Sequence, residues 1–166
     1  MTSTLSTAII AKRDDLIALT QDLIRIPTLN PPGQDYRLIC EYLNTRLRKH
    51  GFETQLIRAF GTPGDSEKYP RWNIIARREG RRAGECVHFN SHTDVVEVGA
   101  GWTFDPFGAE ISDGKIYGRG TCDMKGFAAC VMAAAPAFAN GELQRPYYFC
   151  FSHDEEVGCL GAPAIA

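Results

Sequence analysis

The sequence predicts an α/β fold: an open, largely parallel mixed sheet with helices on both faces. Strand-like runs alternate with helical periods, and polar residues collect where the strands stop. Tyr147 to Ser152 is a short continuous apolar run of the kind that fills a covered parallel sheet. The chain of 166 residues fits one domain, and a globular chain of that size buries roughly 70% of its unfolded surface. There is no internal repeat and no low-complexity segment.

Leu16, Leu19, Leu23 and Ile24 recur at helical spacing and Pro27 stops them, so residues 7–26 are expected to form an amphipathic helix. A loop, Thr28-Leu29-Asn30-Pro31-Pro32-Gly33, follows. Asp35 is a good cap residue for a second helix, whose stripe of Leu38, Ile39, Tyr42, Leu43 and Leu47 ends in Arg48-Lys49-His50 and Gly51. Phe52 to Ile57 alternates as a strand does. Asn73 to Arg78 and Cys86 to Ser91 make two more, and the turn between them, Glu79 to Gly84, is short enough for a hairpin. Ser112-Asp113-Gly114 is a strong hairpin turn between 109–111 and 115–117. Residues 125–140 are rich in alanine and apolar nearly all round, which predicts a buried helix, kinked or shortened at Pro136 and ended by Gly141.

A net charge of -2 with 44% hydrophobic residues gives no electrostatic reason to expect nucleic acid or an anionic membrane as partner. Arg71, Arg77, Arg78, Arg81 and Arg82 cluster around a turn and are expected to form a solvated rim. The six cysteines form no CxxC pair and mostly sit in apolar runs, which predicts reduced, buried thiols and a cytoplasmic protein. The apolar patch at 8–11 is cut off at once by Lys12, Arg13, Asp14 and Asp15, so neither a secretory signal nor a spanning helix is expected.

Chemistry concentrates in three places. His92 and Asp94 alternate past Thr93 at the end of a strand, where the imidazole can bind metal and the carboxylate can hydrogen-bond its other nitrogen or a neighbour. Asp123 sits in the glycine-rich turn from Gly118 to Gly126, where a rigidly held carboxylate can bridge two cations. Glu155 and Glu156 are consecutive, so one can face a metal while the other faces the attacking water. Histidine with carboxylates and no cysteine ligand suits zinc first, with cobalt or manganese also accommodated. Gly118-x-Gly120 is no dinucleotide loop, because Asp123 stands where the third glycine belongs and would repel a pyrophosphate.

Together, Ser91-His92-Thr93-Asp94-Val95-Val96, then Gly101-Trp102-Thr103-Phe104-Asp105-Pro106-Phe107, then 113–126, then Asp154-Glu155-Glu156-Val157-Gly158 follow an ordered pattern. It resembles the zinc-dependent aminoacylase, carboxypeptidase and acetylornithine deacetylase family. The wording Thr121-Cys122-Asp123-Met124-Lys125-Gly126-Phe127 is more similar to the acetylornithine deacetylase branch than to the succinyl-diaminopimelate desuccinylase branch. The resemblance implies a zinc-exopeptidase-like catalytic domain with two zinc ions. His92 would bind one, Asp123 would bridge both, Glu156 would bind the second, Asp94 would orient the ligand shell, and Glu155 would be the general acid/base. His153, like His50 and His88, has no role in that pattern.

The same resemblance implies a small N-acyl amino acid as substrate, N-acetylornithine foremost, and homodimers among complete family members. It also implies two further metal ligands and an inserted lid and dimerisation domain, none of which can be placed before Ala166. The chain is therefore expected to be the N-terminal part of such a catalytic domain. A truncated, non-catalytic remnant and a desuccinylase or dipeptidase of the same family are the alternatives.

Overall fold

The computed structural model describes residues 6, 7, 10–140 and 143–166. Its elements are α1 (Arg13–Ile24), α2 (Tyr36–Lys49), β1 (Glu53–Arg58), β2 (Trp72–Arg78), β3 (Val87–His92), β4 (Glu110–Ser112), β5 (Lys115–Tyr117), α3 (Lys125–Asn140) and β6 (Tyr147–Ser152), with a short 3-10 turn at Ala162–Ala164. The α/β class and its mixed sheet agree with the sequence. The helix expected over residues 7–26 is interrupted by a turn at residues 11 and 12, with residues 6, 7 and 10 helical before it, and α1 ends at Ile24. Gly141, the expected stop of α3, lies outside the described residues.

The spacing of apolar residues explains which faces are buried. α1 buries Leu19, Leu23 and Ile24, and α2 buries Tyr36, Ile39, Cys40, Leu43 and Leu47, each set on one stripe. Asp35 precedes α2 in a left-handed conformation and makes no side-chain cap, contrary to its expected role. The turn at Asp113 and Gly114 takes positive φ at both residues, as an Asp-Gly hairpin requires.

The main sheet runs in the order β1-β2-β6-β3. β1 with β2 and β2 with β6 are antiparallel, and β6 with β3 is parallel. The sheet is thus mixed with one parallel pair, less parallel than expected. The hairpin expected between β2 and β3 does not form, because β6 inserts between them: Ala76 pairs with Phe149, and Phe149 with Phe89. Burial explains the choice. Phe149, Cys150 and Phe151 are almost wholly buried, so β6 belongs in the middle, whereas Val87, His88 and Asn90 are exposed and suit an outer position.

Ile74, Ala76, Phe149 and Phe151 point to one face of the sheet and share a single core with side chains from all three helices. The opposite face carries Glu53, Gln55 and Arg77, all exposed, beside half-buried Ile75 and Tyr148. Among the described residues the second helix layer is therefore absent, and the alternation of burial along β1 and β2 is the one-sided pattern. α3 is not buried all round either: Phe127 and Cys130 are exposed beside Val131, Ala134 and Phe138 in a shallow apolar groove. All six cysteines are free thiols; Cys40 and Cys150 are buried, but Cys86, Cys122, Cys130 and Cys159 are exposed. No helix among the described residues is long and apolar enough to cross a membrane.

Candidate metal centre

The parallel pairing of β3 with β6 places His92 beside Ser152, so the loops leaving both strands emerge at the same edge of the sheet. Thr93 ties them, its backbone N–H donating to Ser152 O at 2.9 Å and its hydroxyl donating to the same oxygen at 3.1 Å. The third loop arrives from β5. Gly120 turns it at φ +87, where a Cβ would lie 2.8 Å from Val95 Cγ1, and Lys125 N–H donates to Gly120 O at 2.8 Å to open α3.

Donor atoms of His92, Asp123 and Glu156 all lie within 4.8 Å of one another. His92 Nδ1 is 3.0 Å from Asp94 O; a carbonyl can only accept, so Nδ1 carries the proton and Nε2 faces the cluster. Nε2 lies 3.1 Å from Asp123 Oδ1 and 3.5 Å from Glu155 Oε2. His92 and Asp94 are buried, while the Asp123 carboxylate is 75% exposed, so the cluster has a buried back and an open front. One imidazole nitrogen with carboxylate oxygens fits zinc, cobalt or manganese, and the fixed Nδ1 proton is the usual support for such a ligand.

Asp94 stands behind this cluster. Its Oδ1 accepts the backbone N–H of Glu155 at 3.1 Å and its Oδ2 that of Glu156 at 3.0 Å. One buried carboxylate thus holds the turn that presents both glutamates. Burial tends to lower the His92 pKa, but hydrogen bonds and charge from Asp94 and Asp123 outweigh it and raise it to about 9. Glu156 is raised by burial first and by the carboxylates of Asp123, Asp94 and Glu155, with His92 opposing. Crowded carboxylates around one imidazole are the electrostatic setting that a cation relieves.

Beneath the turn lies a polar hub that the sequence did not reveal. Asp154 is fully buried at φ +54; its Oδ1 accepts from Asn30 Nδ2 at 2.8 Å and from the Tyr36 hydroxyl at 2.6 Å, and its Oδ2 accepts from Arg71 Nε at 3.0 Å. Burial would raise the Asp154 carboxyl, but His153, Tyr36 and Arg71 together hold it below the usual range. Arg71 is therefore no part of a solvated rim: it is 3% exposed, and its Nη1 also donates to Pro32 O and Tyr69 O. A side chain at Gly33 or Gly64 would collide with its guanidinium. His153 is buried against Tyr36, with Nδ1 3.2 Å from Asp154 Oδ2 but outside hydrogen-bonding geometry.

Lys125, two residues past Asp123, is 1% exposed. Its ammonium donates to Ile26 O and to Pro27 O, and burial pushes its pKa down to about 7. A lysine at the start of an apolar alanine-rich helix was the one visible signal of this burial; Arg71 gave none, because its partner lies 83 residues away.

The mixed sheet that brings these loops together has a zinc-exopeptidase-like fold. Human carnosine dipeptidase 1 shares this fold at a TM-score of 0.81 and 21% identity, covering 99% of this chain and 37% of that one. The di-peptidase Dug1p of Saccharomyces cerevisiae does so at 0.81 and 20%, covering 99% and 38%.

The chain belongs to the peptidase family M20/M25/M40, whose family model matches residues 88–166. Curated relatives include succinyl-diaminopimelate desuccinylase 2 of Ruegeria sp. (strain TM1040), 43% identical over 129 residues, and a succinyl-diaminopimelate desuccinylase of Methylobacterium radiotolerans, 40% identical over 147. They align with 76% and 86% of this chain, which spans only 29% and 35% of their length. These names do not support the expected lean toward acetylornithine deacetylase.

Proposed function

We propose that this site serves metal-dependent hydrolysis of the amide bond of an N-acyl amino acid, with an N-succinyl substrate of the diaminopimelate type favoured. The convergence of His92, Asp123 and Glu156 within 4.8 Å, with Glu155 Oε2 3.5 Å from His92 Nε2, carries this reading. The desuccinylase names of the relatives support the acyl group. In this reading His92, Asp123 and Glu156 are the side chains that would hold zinc.

Bound zinc would supply a Lewis acid that polarises the amide carbonyl and brings the pKa of water near 7. Glu155 then takes a proton from the attacking water and passes it to the departing nitrogen, so that bond cleavage expels a neutral amine. Asp94 positions both partners, through its carbonyl on His92 Nδ1 and its carboxylate on the backbone of Glu155 and Glu156. Asp123, at the open front, leaves room for substrate to approach.

A second reading, metal binding without turnover, is favoured by the ligand count. Three side chains converge among the described residues, whereas two four-coordinate zinc sites draw on more.

Both are tested by titrating the purified chain with zinc and offering N-succinyl-diaminopimelate and N-acetylornithine in parallel, with amine release read by ninhydrin. The expected result is zinc-dependent release from the succinyl compound, lowered about 100-fold or more in Glu155→Gln while zinc binding persists. Zinc binding that survives both His92→Ala and Asp123→Ala sinks the site itself. Zinc bound through these residues with neither amine released transfers the assignment to the second reading.

A further inference from the structure

The sequence marks residues 28–33 only as a loop between two helices, yet in the fold the stretch from Ile26 to Tyr36 reaches all three loops of the candidate metal centre. Toward His92, Thr28 Oγ1 donates to Thr93 O at 2.6 Å, Asn30 N–H donates to Val95 O at 2.9 Å, and Val95 N–H donates back to Thr28 O at 3.1 Å. Toward Asp123, Lys125 Nζ donates to Ile26 O and, at 3.2 Å, to Pro27 O. Toward the glutamates, Asn30 Nδ2 and the Tyr36 hydroxyl both donate to Asp154 Oδ1. Thr28, Asn30 and Lys125 are 0%, 2% and 1% exposed.

The bonds end close to the ligands in each case: at Thr93 and Val95 beside His92, at Lys125 two residues after Asp123, and at Asp154 two residues before Glu156. Burying an ammonium or an amide is costly, and an apolar side chain of similar size would fill the same space without that cost. What Lys125 and Asn30 provide, and an apolar residue cannot, is direction: each fixes one site loop against the same stretch of backbone. Asn30 does this twice, its main chain holding the His92 loop and its side chain holding the Glu156 turn.

We propose that segment 26–36 is a positioning strap that sets the separation of His92, Asp123 and Glu156, with Asn30, Tyr36 and Lys125 as the positioning residues toward bound zinc. The proposal rests on the metal-site reading above. It predicts that cutting one anchor loosens the ligand set while the sheet and helices remain.

Zinc affinity is measured by competition with a chromophoric chelator for the wild-type chain and for Asn30→Ala, Lys125→Met and Tyr36→Phe. The folded fraction of each is taken from urea unfolding followed by circular dichroism. Asn30→Ala and Lys125→Met are expected to bind zinc about 10-fold more weakly in the folded state, the scale at which outer-shell partners act on metal affinity. Tyr36→Phe removes one bond and keeps the ring, so a loss of about 3-fold is expected, and it decides the matter if the other two fail to fold. A merely structural strap would lower the urea midpoint and leave the zinc affinity of the folded chain at the wild-type value, which overturns the proposal. If wild-type binding is indifferent to His92, Asp123 and Glu156, the metal-site reading falls and takes the strap with it. If binding depends on them but not on the anchors, only the strap falls.

Discussion

Replacing Arg71 with methionine removes the guanidinium paired with Asp154 in the buried hub and leaves a carboxylate of 0% exposure with the neutral donors Asn30 and Tyr36, beside His153. The carbonyls of Pro32 and Tyr69 lose a donor as well. Breaking a buried ion pair from one side costs about 3–5 kcal/mol, a large part of the roughly 5–15 kcal/mol that holds a domain folded. Urea unfolding at pH 7, followed by circular dichroism, should therefore show Arg71→Met less stable by about 3 kcal/mol or more.

The pH dependence has a definite sign. The folded Asp154 carboxyl lies below its ordinary range, so its contribution is present above the unfolded value of about 3.9 and is lost as pH falls through the lower folded value. The gap between wild type and Arg71→Met should then narrow on acidification through about pH 4. Arg71→Met combined with Asp154→Asn, which keeps a residue tolerant of positive φ, should recover part of the loss. A loss under about 1 kcal/mol at pH 7, or a gap that widens in acid, would refute the reasoning.

Two more outcomes follow from the site. The carboxylates around His92 hold its pKa at about 9, so at pH 7 zinc must displace a proton from the ring. Calorimetry in buffers of different ionisation enthalpy should find about one proton released per zinc, with affinity rising about tenfold per pH unit between pH 6 and 8; release near zero contradicts the assignment of His92. In the metal-free chain the same raised pKa gives stability that is complete below about 6.5 and lost as pH rises through about 9. Gly120→Ala places a Cβ 2.8 Å from Val95 Cγ1 at φ +87, and should cost about 1–3 kcal/mol in urea unfolding, whereas an unchanged midpoint would show that the Asp123 turn tolerates a side chain.

Local pattern carried most of the elements and singled out the three side chains that converge, His92, Asp123 and Glu156, because helical stripes, an Asp-Gly turn and strand-end polar residues are all written within a few positions. Partner choice across the sheet was not written there. β2 and β3 are neighbours in sequence with a turn between them, and only the greater burial of β6 shows why they stay apart. Arg71 sits among other arginines and looks solvated until Asp154 is placed beside it, and Asn30 looks like a loop residue until its two anchors are known. The exposed side of α3, with Phe127 and Cys130, departs from the expected all-round burial because alanine-rich composition fixes polarity and not which side meets solvent.

The place of β6 between β2 and β3 also constrains how the chain can assemble. A nascent chain emerges from its N-terminal end at roughly 5–20 residues per second, so β2 and β3 are both available for seconds before residue 147 appears. During that interval the two strands lack the neighbour that separates them in the finished sheet, and any pairing between them would have to open to admit β6. The step that seats β6 is also the one that carries Asp154, Glu155 and Glu156 to His92. Order in the sheet and convergence of His92, Asp123 and Glu156 thus depend on one and the same step.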